Sequence, residues 1–268
     1  MSGRSLCLVA VAAAVAASVA AGSEVAGGVL FPTPLHVVRR VETPLTETTA
    51  TVSEFCSGNS TTSVVAEGGV VARISRVDYE LQQIVEINRI TLTYSVTSFA
   101  DIAKGAALGT AATGGPPRKW VVRPVEASQS LEKFEAESTT PAGKMTVEVS
   151  IDRRRALSRE AVEAITGAAH PNPRSDLSDL IVSAAAPRGG TPVAALSVNA
   201  AAYGLPVEEV VTIESEGERI VMRSTVVSID AAIAPPELLA IPPGARRVPS
   251  QLTRFASELQ RADGPQRK

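Results

Sequence analysis

Aromatic residues, histidines and cysteines are scarce in this sequence, and each shortage narrows what the chain can be. Only 3% of the 268 residues are aromatic, so a core must consist mainly of Val, Leu, Ile and Ala. Two histidines and two cysteines cannot assemble a zinc site of His and Cys ligands without carboxylates. The sequence therefore predicts no metal site and no cofactor.

The motifs of several enzyme classes are also missing. The sequence contains neither the Gly-x-Ser-x-Gly turn of α/β hydrolases nor the His-Glu-x-x-His pair of zinc peptidases. Its glycine-rich stretch at 105–115 is not followed by the Gly-Lys-Ser/Thr of a phosphate-binding loop. No residue is therefore predicted to be catalytic.

An excess of basic charge is missing as well. The 26 Lys and Arg residues and the 28 Asp and Glu residues give a formal net charge of −2. A general nucleic-acid binder needs a basic excess to neutralise phosphates, so that class is excluded. The composition, with 44% hydrophobic and 20% charged residues, is instead typical of a folded globular protein.

An apolar segment opens the chain. Arg4 precedes an uninterrupted small and aliphatic run, and the small residues at its end satisfy the small-x-small rule for cleavage. We expect residues 1–21 to be a signal peptide, cleaved after Ala20 or Ala21, with retention as a membrane anchor as the alternative. The mature protein would then be exported to the periplasm or the extracellular space, with no stable transmembrane segment.

Removal of a signal peptide would leave Cys56 as the single cysteine. An exported protein with one cysteine has no internal disulfide. Neither His36 nor His170 lies near Cys56 in the sequence, so no base is at hand to activate the thiol. We therefore expect Cys56 to be buried and unreactive.

Alternation of apolar and polar residues predicts a chain that is largely β. It is strictest over 79–88, 90–97 and 144–152, and Asn88-Arg89 between the first two runs indicates a tight hairpin turn. The run 219–230 changes phase at Val226-Val227, which indicates a β-bulge. Weaker strand candidates lie at 35–42, 47–55, 61–65, 70–77, 118–126, 131–138 and 207–214.

Helix signals are fewer than strand signals. Ser98 predicts a short capped helix ending near Gly105, and Ser158 predicts a second one ending at Gly167. Further helices are predicted after Ser175, after Thr191-Pro192 and over 252–259. This order of elements lacks a regular β-α-β-α rhythm, so it predicts an α+β protein that is mainly antiparallel β, with one curved sheet covered by helices.

Charged clusters in the sequence allow two interpretations. Arg39-Arg40, Arg153-Arg154-Arg155 and Arg246-Arg247 could contact anionic lipid head groups or could simply lie in solvated turns. Glu208 and Glu209 are neighbours on a predicted strand and should point to opposite faces, so we expect both to be solvated.

Several segments together resemble a known family. They are Val71-Ala-Arg73-Ile74, Asp78-Tyr79 through Asn88, Leu92-Thr-Tyr94-Ser-Val, Tyr203-Gly204-Leu205-Pro206-Val207 and Pro235-Pro236-Glu237-Leu238-Leu239-Ala240-Ile241-Pro242-Pro243-Gly244. Their order is similar to that of exported bacterial proteins with the LolA-like fold, uncharacterised relatives of the lipoprotein carriers. The chain departs from the pattern at Leu239, where the family often has Phe, and at Ala245, where it often has Tyr.

The resemblance implies a single half-barrel domain over 22–249, with a helical insertion at about 158–204 and a C-terminal helix and tail at 250–268. Helices would cover the concave apolar face, where carriers of this fold shelter acyl chains. It also implies a lipid, a lipoprotein acyl chain or an envelope protein as partner. The predicted ligand-binding residues are Leu92, Tyr94, Trp120, Val147, Val149 and Val221.

Three hypotheses about function follow. The first is a non-enzymatic exported bacterial envelope protein that binds a hydrophobic ligand or an envelope partner. The second is a structural or interaction module with a packed interior, in which the helices between 158 and 203 fill the sheet instead of covering a cavity. The third is an exported hydrolase that works with carboxylates alone, which would need two acids of raised pKa in one cleft.

Overall fold

A computed structural model describes residues 28–44, 49–104, 119–128, 130–140, 143–167, 176–187, 202–215 and 217–250. The strands are β1 (Phe31–Glu42), β2 (Ala50–Gly58), β3 (Ser60–Glu67), β4 (Val70–Asp78), β5 (Gln83–Asn88), β6 (Thr93–Ser98), β7 (Val121–Ala127), β8 (Leu131–Thr140), β9 (Gly143–Leu157), β10 (Tyr203–Ser215), β11 (Glu218–Asp230) and β12 (Arg246–Arg247). The helices are α1 (99–104), α2 (Arg159–Thr166), α3 (Asp176–Ala185) and α4 (Pro236–Leu239).

The strands form one large open sheet in the order β12-β6-β5-β4-β3-β2-β1-β11-β10-β9-β8-β7. Every pair is antiparallel except β12 with β6, which run parallel over two residues. The prediction of a mainly antiparallel β protein is therefore confirmed, and few of the described residues are helical. The sheet joins two sequential groups of strands, β1–β6 and β7–β11, through the pairing of β1 with β11.

The predicted strands are found, and their boundaries extend beyond the predicted ones in most cases. The alternation at 144–152 is confirmed, because Val147, Val149 and Ile151 of β9 are all buried. The predicted bulge in β11 is confirmed too. Val38 of β1 lies opposite Ser228 and Arg39 lies opposite Val226, which leaves Val227 as the extra residue.

The predicted turn at Asn88-Arg89 is wrong, because a four-residue loop, 89–92, joins β5 to β6. The Asn88 side chain ends the strand: its Oδ1 accepts hydrogen bonds from the backbone N–H of Ile90 at 3.0 Å and of Thr91 at 2.8 Å. Leu92 then takes a left-handed conformation with φ of 48°. Ile90 and Leu92 consequently lie in an exposed loop and not in a strand.

The loop 79–82 between β4 and β5 is built in the same way. Asp78 Oδ1 accepts a hydrogen bond from the Leu81 N–H at 2.9 Å, and Gln82 has φ of 50°. The two loops lie at opposite ends of β5. They share this backbone conformation but differ in their side chains. Residues 79–82, predicted to be a strand, are therefore a loop as well.

The helices α1, α2 and α3 pack on one face of the sheet, which we term the helix-side face. Residues that oppose each other across neighbouring strands project to the same face, so the ladder assigns each residue to a face. Cluster A lies under α3, against β8, β9 and β10, and comprises Phe134, Ala136, Val147, Val149, Ile151, Val162, Leu180, Ile181, Val182, Ala184, Ala185 and Val211. Cluster B lies under α1 and α2 and comprises Leu30, Phe31, Cys56, Val77, Tyr79, Phe99, Ile102, Ala161 and Ala164.

The opposite face carries a smaller cluster over β3 to β6. Val64, Ile74 and Ile87 are buried there. Leu238 of α4 packs against them, and β12, which follows α4 in the chain, pairs with β6 at the edge of the sheet.

Two predicted helix starts are confirmed. Ser158 Oγ accepts a hydrogen bond from the Ala161 N–H at 3.0 Å, and Gly167 ends α2 with φ of 77°. Ser98 caps α1 through the Asp101 N–H at 3.1 Å. The helix predicted after Ser175 is α3. The signal segment 1–21, the end of α1, the helix after Thr191 and the helix over 252–259 lie outside the described residues.

Arg153 attaches the end of α3 to the sheet. Its guanidinium donates to the carbonyl oxygens of Ala184, Ala185 and Ala186 and forms an ion pair with Glu132 at 2.7 Å. The last carbonyls of a helix have no partner within the helix, and a cation near them is favourable. This half-buried arginine therefore holds α3 over cluster A.

We predict that Arg153→Ala destabilises the protein by about 2–3 kcal/mol, since it removes several charged hydrogen bonds from a half-buried site. Urea unfolding followed by circular dichroism measures this loss. The exposed neighbour Arg155 is the matched control, and Arg155→Ala should change stability by no more than about 0.5 kcal/mol. Equal losses for the two variants would contradict the role of Arg153.

Candidate ligand-binding site

Three of the six predicted ligand-binding residues come together. Val147 and Val149 lie on β9 in cluster A and are buried beneath α3. Trp120, just before β7, packs against the same cluster and is half-buried. Cluster A is therefore the candidate site, and its half-buried margin is formed by Trp120, Met145, Leu157, Leu177, Tyr203, Ile213 and Met222.

The other three residues lie elsewhere. Val221 is on the opposite face, because it pairs with Thr212 while its neighbour Met222 projects toward cluster A. Tyr94 packs on the opposite face with the cluster of Ile74 and Ile87. Leu92 is in the β5–β6 loop and 48% exposed. The prediction of one apolar wall that included these three residues is wrong.

Two polar groups at the margin of cluster A lack partners. Trp120 Nε1 and Ser138 Oγ are buried, and within the described ranges neither has a hydrogen-bond partner. Ser138 opposes Met145 on the helix-side face. Val121 pairs with Glu137, so the same register places Trp120, the residue before Val121, near Ser138, the residue after Glu137. A buried polar group without a partner costs about 1–3 kcal/mol, so a pair of them at one place suggests a site for a polar atom.

Sequence reasoning missed Ser138, although the sequence holds a signal for it. In the run Phe134-x-Ala136-x-Ser138 the serine occupies a period-two position of the apolar face. Such a residue points inward by pattern while its hydroxyl needs a partner. The same signal exists for Arg39 in Val37-x-Arg39-x-Val41.

A partly buried charge cluster lies on the helix-side face beside the β1–β11 junction. Arg39 is buried, and its Nε donates to Glu54 Oε2 at 2.9 Å while its Nη2 donates to the Pro206 carbonyl at 3.0 Å. Glu209 opposes Val149 and Ser224 and so faces the same side. Burial raises the pKa of Glu209, the Arg39 charge lowers it in part, and the Glu54 charge raises it further.

The expectation that Glu208 and Glu209 are both solvated is wrong for Glu209. The two side chains do point to opposite faces, as predicted: Glu208 accepts a hydrogen bond from Ser150 at 3.3 Å on the opposite face. Glu209, however, shares its face with Val211 and Ile213 and is half-buried beside cluster A. The strands β9 and β11 flank β10 on its two edges, and the sequence alone does not identify these neighbours.

Cys56 is buried, as predicted. Its side chain lies in cluster B, and it has no disulfide partner. Burial, together with the Glu54 charge, raises the pKa of the thiol well above its usual range, and the Arg39 charge opposes this in part. A thiol of raised pKa is a poor nucleophile, which agrees with an inert role.

The three arginines at 153–155 lie in different environments. Arg153 binds α3, as described above. Arg154 forms two hydrogen bonds at 3.0 Å with the Asp152 carboxylate, and these bonds hold the pKa of Asp152 below its usual range. Arg155 is exposed. One member of the triplet is thus structural, so the interpretation as a solvated turn is wrong for Arg153.

Two further features bear on the site. No group of three or more His, Cys, Asp or Glu side chains in the part of the chain that the structure describes could hold a metal ion. Among the same residues, no helix has both the length and the apolar character needed to cross a bilayer.

Comparisons with known proteins give little further information. Neither a protein-family model nor a curated protein matches the chain. Among solved structures, one matching chain is described as "Structure of PNGF-II in C2 space group" and is 8% identical, with a TM-score of 0.37. The match covers 86% of this chain and spans 33% of that one. A similarity at this level carries no conclusion about fold or function.

The raised pKa of Glu209 predicts a pH-dependent gain of stability in Glu209→Gln. The folded state holds the Glu209 proton more tightly than the unfolded state, whose pKa is near 4.5. The wild type therefore loses stability relative to the variant as the pH rises above 4.5, and the two converge at lower pH. Urea unfolding at a series of pH values measures the difference. Glu208→Gln, on the opposite face, controls for the loss of one charge, and a difference for Glu209→Gln that is constant with pH would contradict the prediction.

Proposed function

We propose that the protein is a non-enzymatic exported bacterial envelope protein that binds a hydrophobic ligand, a lipid or an acyl chain, at the margin of cluster A. The observation that carries this proposal is the pair of unpartnered groups, Trp120 Nε1 and Ser138 Oγ, beside aliphatic side chains. Ligand sites are mostly apolar and contain a few placed polar groups. A carbonyl or carboxylate oxygen of the ligand would accept hydrogen bonds from both groups while its chain extends along Val147 and Met145.

We further infer that the sheet is the curved half-barrel of the LolA-like fold, with helices over its concave face. The packing of α2 supports this inference. Ala161 of α2 belongs to cluster B with Cys56 of β2, whereas Val162 belongs to cluster A with Val149 of β9. In a flat sheet β2 and β9 would lie four spacings, roughly 19 Å, apart. A helix about 10–12 Å wide reaches both clusters more readily if the sheet curves around it.

Export is proposed from the sequence pattern of residues 1–21. Under this proposal the signal peptide is cleaved after Ala20 or Ala21, and the single domain 22–249 acts in the periplasm or outside the cell. Residues 250–268 would follow it as a helix and tail. A lipoprotein acyl chain is a candidate cargo in this compartment, and an envelope protein is a candidate partner.

A second candidate function is an interaction module with a packed interior. The contact between α3 and the sheet favours it, because Leu180 and Ile181 are buried in cluster A together with Val147. Side chains of α3 thus fill part of the space that a ligand would need. A carboxylate-dependent hydrolase stays a prediction without such support, since Glu208 and Glu209 point apart and Glu54 is bound to Arg39.

The first experiment is native mass spectrometry of the protein purified from the envelope of its own host. The proposal expects extra mass in the lipid range that is lost on organic extraction. A bare polypeptide mass, together with no binding of added palmitic acid to the extracted protein, would contradict the proposal and favour the interaction module.

The unpartnered groups give a sharper test, in which two measurements should move in opposite directions. In the extracted protein, Ser138→Ala should raise stability by about 1 kcal/mol, because it removes a buried hydroxyl without a partner. The same substitution should weaken palmitic acid binding by about fivefold or more, since it removes a hydrogen bond worth about 1 kcal/mol. Trp120→Phe should weaken binding similarly while it keeps an aromatic ring.

The control for this pair is Thr212→Ala, which removes a hydroxyl from the opposite face of the sheet. It should leave palmitic acid binding unchanged. If Ser138→Ala stabilises the protein without any effect on palmitic acid binding, the serine is not part of a ligand site.

A further inference from the structure

An exposed apolar surface lies at one end of the sheet, and nothing in the candidate site uses it. Its core consists of aliphatic side chains from the β5–β6 loop, from the end of α4 and from the segment that follows α4. Ile90 is 68% exposed, Leu92 48%, Ile241 44% and Leu239 36%. We term these four residues, with Arg246 and Arg247, the tip patch.

Backbone contacts bring the two segments of the tip patch together. The Arg246 N–H donates to the Leu92 carbonyl at 2.9 Å, and β12 pairs with β6 at this point. The Arg89 guanidinium donates to the Glu237 carbonyl at 2.7 Å. The apolar loop and the proline-rich segment are therefore one connected surface.

The loop geometry does not require the exposed aliphatic residues. The loop 79–82 has the same backbone design, with an Asp in place of Asn88 and Gln82 in place of Leu92 at the left-handed position. Glu80 occupies the position that corresponds to Ile90. The loop conformation does not stabilise an isoleucine at 90 or a leucine at 92. A non-glycine residue in the left-handed conformation, such as Leu92, instead costs about 1–3 kcal/mol. The aliphatic side chains at 90 and 92 thus need a reason outside the fold.

The local charge around the tip patch is positive, although the net charge of the chain is negative. Segments 88–93 and 236–248 contain three arginines, Arg89, Arg246 and Arg247, against the single acid Glu237, a local charge of +2. The whole chain has a net charge of −2. Exposed aliphatic side chains beside the exposed Arg246 and Arg247 match an anionic bilayer, which accepts apolar groups below a negatively charged surface.

We propose that the tip patch is a membrane-contact surface, which inserts Ile90 and Leu92 into the head-group region of an anionic bilayer. Arg246 and Arg247 bind lipid phosphates at the same time. The exposed Arg246 and Arg247 beside the exposed aliphatic side chains favour an anionic bilayer over a protein partner. β12 runs parallel to β6 at Thr93 and Tyr94, so residues 246–248 lead away from the β5–β6 loop.

Quenching by brominated lipid tests the insertion at a defined position. Thr91→Trp places an indole in the β5–β6 loop. Leu81→Trp places one at the corresponding position of the loop 79–82, at the other end of β5, which we term the sister loop. The full chain is mixed with vesicles of phosphatidylglycerol and brominated phosphatidylcholine. We expect at least twofold stronger quenching of the indole introduced at 91 than of the indole introduced at 81, after subtraction of the Trp120 signal of the wild type.

Two sets of variants then test the chemistry. Ile90→Glu with Leu92→Gln gives the tip the residues of the sister loop, and it should lower vesicle affinity tenfold or more in the Thr91→Trp background. Arg246→Gln with Arg247→Gln should lower affinity several-fold for anionic vesicles and little for vesicles of phosphatidylcholine alone. Leu81→Gln, which removes an equally exposed leucine from the sister loop, is the control and should have no effect.

Equal quenching of the two indoles would overturn the proposal, as would vesicle affinity that is unchanged in the tip variants. Circular dichroism and thermal unfolding of each variant check that the fold is kept. The proposed ligand site lies at the margin of cluster A, at Trp120 and on β8 and β9, so palmitic acid binding should be unaffected by the tip variants. Failure of the membrane contact therefore remains distinguishable from failure of the ligand site.

Discussion

The pairing of β1 with β11 is the interaction on which the rest of the structure depends. The strands β1–β6 follow one another as neighbours in the sheet, and β7–β11 do the same on the other side. One ladder joins these two groups, and its partners His36 and Asp230 are 194 residues apart. This ladder places cluster B beside cluster A and brings Arg39 to the face of Glu209. Without it the helices would have two separate sheets to cover.

Local patterns in the sequence predicted the elements well, because each pattern acts within a few residues. Period-two alternation identified β9, a change of phase identified the bulge at Val227, and Ser158 with Gly167 identified both ends of α2. The β5–β6 turn was predicted wrongly for an equally local reason. The apolar alternation continues through Ile90 and Leu92. The strand nevertheless ends at Asn88, because its side chain accepts hydrogen bonds from the next backbone N–H groups.

The candidate site was only partly predictable, since it depends on which strands become neighbours. Val147, Val149 and Trp120 were assigned together, whereas Val221 was assigned to the wrong face of its strand. The burial of Glu209 depends on β9 and β11 flanking β10, and no pattern within 203–215 specifies those neighbours. Ser138 is visible as a polar residue at an inward position, yet its lack of a partner appears only when the surrounding strands are in place.

The long separation along the chain between β1 and β11 also sets the order of events during synthesis. Translation proceeds at about 5–20 residues per second, so β1 waits on the order of 10–40 s before β11 has emerged. Throughout that interval the inner edge of β1 is an unpaired strand edge beside the apolar side chains of cluster B. The edge of β1 is therefore open to pairing with other chains until β11 has been synthesised.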